Sequence, residues 1–188
     1  MASMTDDETA ALVGLSLEAL ADVRDADWTS KAGELEWSCW RTADHLIDCI
    51  FSYALQIGAR AQSGYIPIKE LHARPEAVPV DLIAGLRGVT ALFLGVVRDA
   101  PSGLTAFDGV LQLDLSDWCA RASYELAIHT HDVTSGLAGV FVPPPQICGS
   151  ILESDSLWML DREQANAESD PWFALLRGSG RPVTSDPK

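Results

Sequence analysis

The chain has 188 residues, 47% hydrophobic and 21% charged, the proportions of a soluble globule of one domain with a real buried core. Its 13 lysines and arginines stand against 27 aspartates and glutamates, a formal charge of −14, which argues against the basic surface a nucleic-acid partner requires. The acidic opening Met1–Glu8 lacks the basic start of a secretory signal, and the best apolar run, Val89–Val97, is far too short to span a bilayer. The expectation is a cytoplasmic chain with a small-molecule substrate and no membrane partner, as a monomer or homodimer.

Asp6 to Arg24 sets Leu12, Leu15, Leu20 and Val23 among alanines behind an acidic start, which predicts a first helix. Asp25 to Leu35 is polar, contains Trp28 and Gly33, and reads as a connection. A second helix is predicted over Thr42 to Arg60, with Ala43, Ile47, Ile50, Ala54 and Ile57 as its apolar stripe. Arg41, His45, Asp48, Cys49, Ser52 and Gln56 run along the opposite face. A polar face ordinarily meets water, so His45 reads from this helix alone as a surface histidine or as a ligand facing a site.

Gly64 to Pro79 carries prolines and charges and reads as a loop, with His72 exposed on it. Pro79 and Pro101 bound a third helix, Val80 to Arg98. Each of its three glycines costs roughly 1 kcal/mol against alanine. Ala84, Gly88, Ala91 and Gly95 share one side, and the expectation is that a neighbouring backbone packs closely against this strip. Between Ser102 and Leu115, Asp108-Gly109 suggests a turn, and Leu111, Leu113 and Leu115 alternate as in a short extended piece.

The fourth helix, predicted to start at Ser116-Asp117 and run to Gly136, is the chemically distinctive one. At ~100° per residue, Trp118, Arg121, Glu125, His129 and Asp132 fall in one narrow stripe. Ala120, Ala122, Leu126, Ala127, Ile128 and Val133 occupy the rest. Ionisable groups bordered by apolar ones nearly all round fit a polar site inside a bundle better than a solvated face. Glu125 and His129, four apart, can converge on one divalent ion, with Arg121 and Asp132 to orient them. A surface Glu–His pair is the competing reading, since two ligands do not make a metal site. His131 points to the other side of its helix.

Pro143-Pro144-Pro145 opens a further helix, predicted over Gln146 to Leu160. Trp172 to Leu176 reads as a short apolar docking segment, and residues 178–188 as a flexible tail. The four cysteines form no C-x-x-C pair and read as reduced, partly buried residues. Cys49, one turn from His45, could line a site or ligate. No nucleotide-binding fingerprint is present.

Three blocks, ALADVRDADW, CWRTADHLID and WCARASYELAIHTHD, together resemble the DinB-like superfamily, most closely the N-terminal domain of mycothiol-dependent maleylpyruvate isomerases. The similarity spans about residues 12 to 135. It implies an all-α four-helix bundle of up-down-down-up type, here with extra C-terminal helical segments. It also implies a divalent metal, zinc expected and nickel an alternative, held by His45, Glu125 and His129 as the catalytic centre. A low-molecular-weight thiol such as mycothiol would be activated there for attack on a small electrophile, making the chain a metal-dependent thiol S-transferase or isomerase. Polar groups for such a thiol are sought in Arg41, Asp48, Gln56 and Arg121. The same ligand set would serve a hydrolase or lyase, or a non-catalytic metal- or small-molecule-binding protein. The expectation is that the chain lacks the smaller C-terminal domain of the two-domain isomerases and acts on a small electrophile other than maleylpyruvate itself.

Overall fold

The computed structural model describes residues 3–68 and 70–183. Its first helix, α1 (Asp6–Asp22), begins at a capping box: the Thr5 hydroxyl accepts from the Glu8 amide at 3.1 Å while the Glu8 carboxylate accepts from the Thr5 amide at 2.9 Å. α2 (Cys39–Gly58) starts three residues earlier than its apolar stripe suggests, because the Ser38 hydroxyl caps it by accepting from the Arg41 amide at 3.2 Å. α3 spans Pro79–Asp99. A hairpin follows, β1 (Thr105–Phe107) antiparallel to β2 (Gln112–Asp114), turning at Asp108 and Gly109. The Asp108 carboxylate accepts from the Val110 and Leu111 amides at 2.7 and 2.6 Å, and Gly109 takes φ +99°, a value that favours glycine.

α4 (Leu115–Gly136) is capped by Asp114, whose carboxylate accepts from the Asp117 amide at 2.9 Å. Ser116, the cap expected from the sequence, lies inside the helix. The predicted helix over Gln146–Leu160 is shorter: α5 is Pro145–Glu153. The chain leaves the helix at Ser154, whose hydroxyl donates to Asp117 at 3.0 Å, and the Leu152 and Ser154 carbonyls are taken by Arg162. Two short helices complete the fold, α6 (Arg162–Asn166) and α7 (Pro171–Gly178).

The four long helices make one bundle. α1 and α2 each pack on both α3 and α4, so the order round the bundle is α1, α3, α2, α4. The links between helices on opposite corners must therefore cross the ends: 23–38 joins α1 to α2 and 100–114 joins α3 to α4, whereas 59–78 joins the neighbours α2 and α3. Leu12, Leu20, Leu46, Ile50, Ile57, Leu82, Leu86, Phe93, Leu126 and Ile128 fill the centre, all at 1% exposure or less. Each such side chain contributes roughly 1.5–3 kcal/mol by leaving water.

Two expectations are corrected. Ala84, Gly88, Ala91 and Gly95 are exposed on α3, and a methyl group added at Gly88 or Gly95 would meet nothing within 4 Å. No backbone packs there among the described residues; α3 buries the opposite side, with Leu82, Leu86, Val89 and Phe93. α3 is also long and apolar enough, at 21 residues, to pass as a membrane-crossing helix by length and composition, yet that inner side is packed in the bundle core. The second correction concerns the tail. Residues 179–183 fold back on α7, with the Arg181 amide donating to the Leu176 carbonyl at 2.8 Å. The remainder of that predicted tail, 184–188, lies outside the described residues.

Candidate metal centre

α2 and α4 are neighbours, and each turns part of its polar stripe toward the other. His45 comes from α2, Glu125 and His129 from α4, and one donor atom of each lies within 4.8 Å of the other two. Glu125 and His129 are nearly enclosed, with side chains 13% and 12% exposed. The imidazole rings of His45 and His129 meet edge to face, centroids 5.2 Å apart. His131 points away and packs its ring on Trp172. His72 sits on the segment between α2 and α3, more than half exposed, bonded to Asp44 and Glu70.

The two α4 donors are buttressed from behind. His129 Nδ1 bonds Asp132 Oδ2 at 3.0 Å, which leaves Nε2 facing Glu125 Oε2 at 3.2 Å. Asp132, 1% exposed, is gripped in turn by Arg181, Nε to Oδ1 at 3.1 Å and Nη2 to Oδ2 at 2.7 Å. The Tyr53 hydroxyl donates to Glu125 Oε1 at 3.3 Å. His45 has a softer setting: the Cys49 thiol at 3.4 Å and the Trp37 ring at 5.0 Å between centroids.

Electrostatics follow the same division. Burial and the neighbouring His129 hold His45 below the ordinary histidine value. Burial also works against a charged His129, but its bonds to Asp132 and Glu125, and their charges, outweigh it and raise the value to about 9. Burial pushes Glu125 upward, and the bond from His129 with the charges of His129, His45 and Arg121 brings it below the usual carboxylate range. Burial, with the Glu125 charge, pushes the Cys49 thiol far up, so it is protonated at neutral pH.

Such a donor set fits a divalent cation. Two imidazoles and a carboxylate on two elements can supply three ligands and leave a position open, and outer partners on the ligands are the rule at such sites. A cavity of about 230 Å³ opens on His45 and His129 beside Leu35, Glu36 and Trp37. A second, about 400 Å³, shares Trp37 and His45 and adds Trp40, Arg41, Asp44 and His72. Gly136 helps hold this rim: the Lys31–Gly33 backbone lies so close that no side chain fits there.

The four polar residues sought for a thiol cofactor separate. Arg41 is exposed at the rim, its guanidinium 4.7 Å above the Trp37 ring. Asp48 is half-buried and accepts from the Leu71 amide at 2.7 Å, tying the segment between α2 and α3 to α2. Gln56 is 1% exposed with its amide committed to backbone, donating to the Phe107 and Gly64 carbonyls and accepting from the Ile66 amide. Arg121 is buried against Asp108 at 2.5 Å, and its Nε has no partner among the described residues. Arg41 alone of the four lines either cavity beside His45.

Trp37, Tyr53 and Arg181 were not singled out by the sequence. Tyr53 lies eight residues past His45 on the same helix face, a spacing that could have shown it. Trp37 precedes a helix and Arg181 sits among glycine, serine and proline, and neither place carries a periodic signal.

No family model matches the sequence, and no curated protein matches it. A solved structure does: the crystal structure of the mycothiol-dependent maleylpyruvate isomerase matches with TM-score 0.55 and 13% identity, over 89% of this chain and 75% of that one. The chain shares the all-α bundle fold of that protein.

Proposed function

We propose that this protein is a metal-dependent thiol S-transferase or isomerase, in which a low-molecular-weight thiol attacks a small electrophilic molecule at the His45–Glu125–His129 centre. The observation that carries the reading is the convergence of those donors within 4.8 Å, with His45 and His129 lining a cavity. The mycothiol dependence of the structurally similar isomerase supports the choice of thiol.

A divalent cation bound there would offer an open position at which a thiol loses its proton near neutral pH. The chain's own residues do the rest. Asp132 holds His129 with Nε2 inward, and Tyr53 fixes one oxygen of Glu125, so the donors are set before any ligand arrives. Trp37 walls the cavity beside His45. Arg41, stacked on Trp37, presents hydrogen-bond donors at the rim for polar groups of the thiol. The thiol proton leaves to solvent; the sulfur would then bond to the electrophilic carbon as that carbon's π bond to its neighbour opens, and the neighbouring atom takes up a proton from solvent, so that no leaving group is needed.

Metal analysis of the purified protein, followed by thiol titration, tests this. One divalent ion per chain is expected, with release of about one proton per thiol bound at pH 7. The cobalt-loaded protein should gain an intense near-ultraviolet charge-transfer band on adding thiol. An ion that binds while no thiol at millimolar concentration perturbs the spectrum would remove the transferase reading, leaving a hydrolase or a binding protein.

A further inference from the structure

We infer that Arg181, near the C-terminal end of the chain, is a positioning residue of the metal centre, acting on His129 through Asp132. The inference rests on the metal reading above, and its test separates the two. Three observations carry it. Asp132 is a carboxylate at 1% exposure, and its Oδ2 is shared between His129 Nδ1 and Arg181 Nη2 while Oδ1 takes Arg181 Nε. Arg181 is itself held, its Nη1 donating to the Ser179 carbonyl at 2.7 Å and its amide to the Leu176 carbonyl. Asp132 and Arg181 are 49 residues apart, so the contact exists only when α7 and the segment after it are docked.

The geometry gives Arg181 a specific task. A buried carboxylate bonded to imidazole alone is free to rotate about its terminal torsion, and the imidazole turns with it. A guanidinium that meets both oxygens side by side fixes the plane of the carboxylate, because its fork matches the two acceptors. With that plane fixed, Oδ2 presents one direction to Nδ1–H, and Nε2 is aimed at the space shared with Glu125 and His45. The C-terminal segment thus sets the orientation of an α4 ligand that it does not touch.

Two readouts test this, one with metal and one without. Arg181→Gln should weaken divalent-ion binding ~10–100-fold, the range for loss of an outer partner. Arg181→Lys keeps the charge but meets one oxygen at a time, so it should fall between Gln and the native chain. The effect of Arg181→Gln should vanish in an Asp132→Asn background, since a residue acting through another has no effect once that one is changed. In the metal-free protein, the His129 Nδ1–H proton should appear as a slowly exchanging NMR signal, assigned by its loss in His129→Ala, and should broaden or shift in Arg181→Gln. If the native chain binds no ion but this signal responds, the positioning role stands and the metal reading fails. Additive effects in the double variant, or an Arg181→Gln protein with native ion affinity and an unchanged signal, overturn the inference.

Discussion

α3 and α4 are of nearly equal length and lie in the same bundle, yet their burial is the reverse of their composition. α3 is the apolar one, with a mean hydropathy of 1.8 over its best 18 residues, and buries seven of 21 residues. α4 carries Arg121, Glu125, His129 and Asp132 along one side and buries 14 of 22. Neighbours make the difference: α4 is surrounded by α1, α2, α5 and β2, whereas α3 meets α1 and α2. A helix enclosed on every side can keep ionisable groups only if each finds a partner. On α4 each does, through Asp108, Tyr53 and Arg181. An outer helix faces no such demand, and its solvent side can carry small residues with nothing to contact.

The sharpest way to break the comparison is to remove the ionisable groups from the enclosed helix. Glu125→Ala and His129→Ala should each reduce divalent-ion affinity by more than the ~10–100-fold expected for an outer partner. His45→Ala on α2 should do likewise. His72→Ala and His131→Ala should leave the ion in place, because one ring faces solvent and the other faces Trp172. Equilibrium dialysis with metal analysis decides it, and loss of the ion in His131→Ala alone would put the site on the wrong face of α4.

The next effect is on stability. Arg121→Met strands the Asp108 carboxylate, 1% exposed, without its counter-charge, and should cost about 3–5 kcal/mol in denaturant unfolding. Adding Asp108→Asn should return part of that loss, since removing both charges relieves the stranded one. On α3, Arg87→Ala removes an exposed charge and should leave the unfolding midpoint where it was. A tolerant Arg121→Met would mean that water reaches this pair and that α4 is less enclosed than its contacts indicate.

The sequence is legible where a period repeats over several turns. The apolar stripe of α2 from Ala43 to Ile57 and the ionisable stripe of α4 from Arg121 to Asp132 are long enough to declare a face. The convergence of His45 on that stripe is not legible from periodicity, because a histidine facing a partner helix and one facing water have the same spacing. The resemblance of Trp40–Leu46 to a family block supplied it. Arg181 was unreadable for a different reason: its partner is remote, and its flanking Gly180 and Pro182 read as a frayed end. Gln56 and Arg121 illustrate a third limit. Polar residues on a site-facing stripe can be spent on backbone or on a remote carboxylate, and only tertiary structure says which.

The strip on α3 yields the smallest effect and tests the exposed half of the comparison. Ala84, Gly88, Ala91 and Gly95 have the spacing of a close helix contact, but the same spacing arises on a face that contacts nothing. Close packing would make any side chain at Gly88 costly, by roughly 1–3 kcal/mol for an overpacked leucine. The structure leaves open space around Gly88, so that cost should be absent. Gly88→Ala should instead stabilise the protein by about 0.5–1 kcal/mol, since alanine restricts the unfolded chain and suits a helix interior. The measurement is a pair of urea melts at two protein concentrations. A variant that melts earlier than the native chain, with a midpoint that falls on dilution, would show another chain packed on this strip and would make α3 an enclosed helix after all.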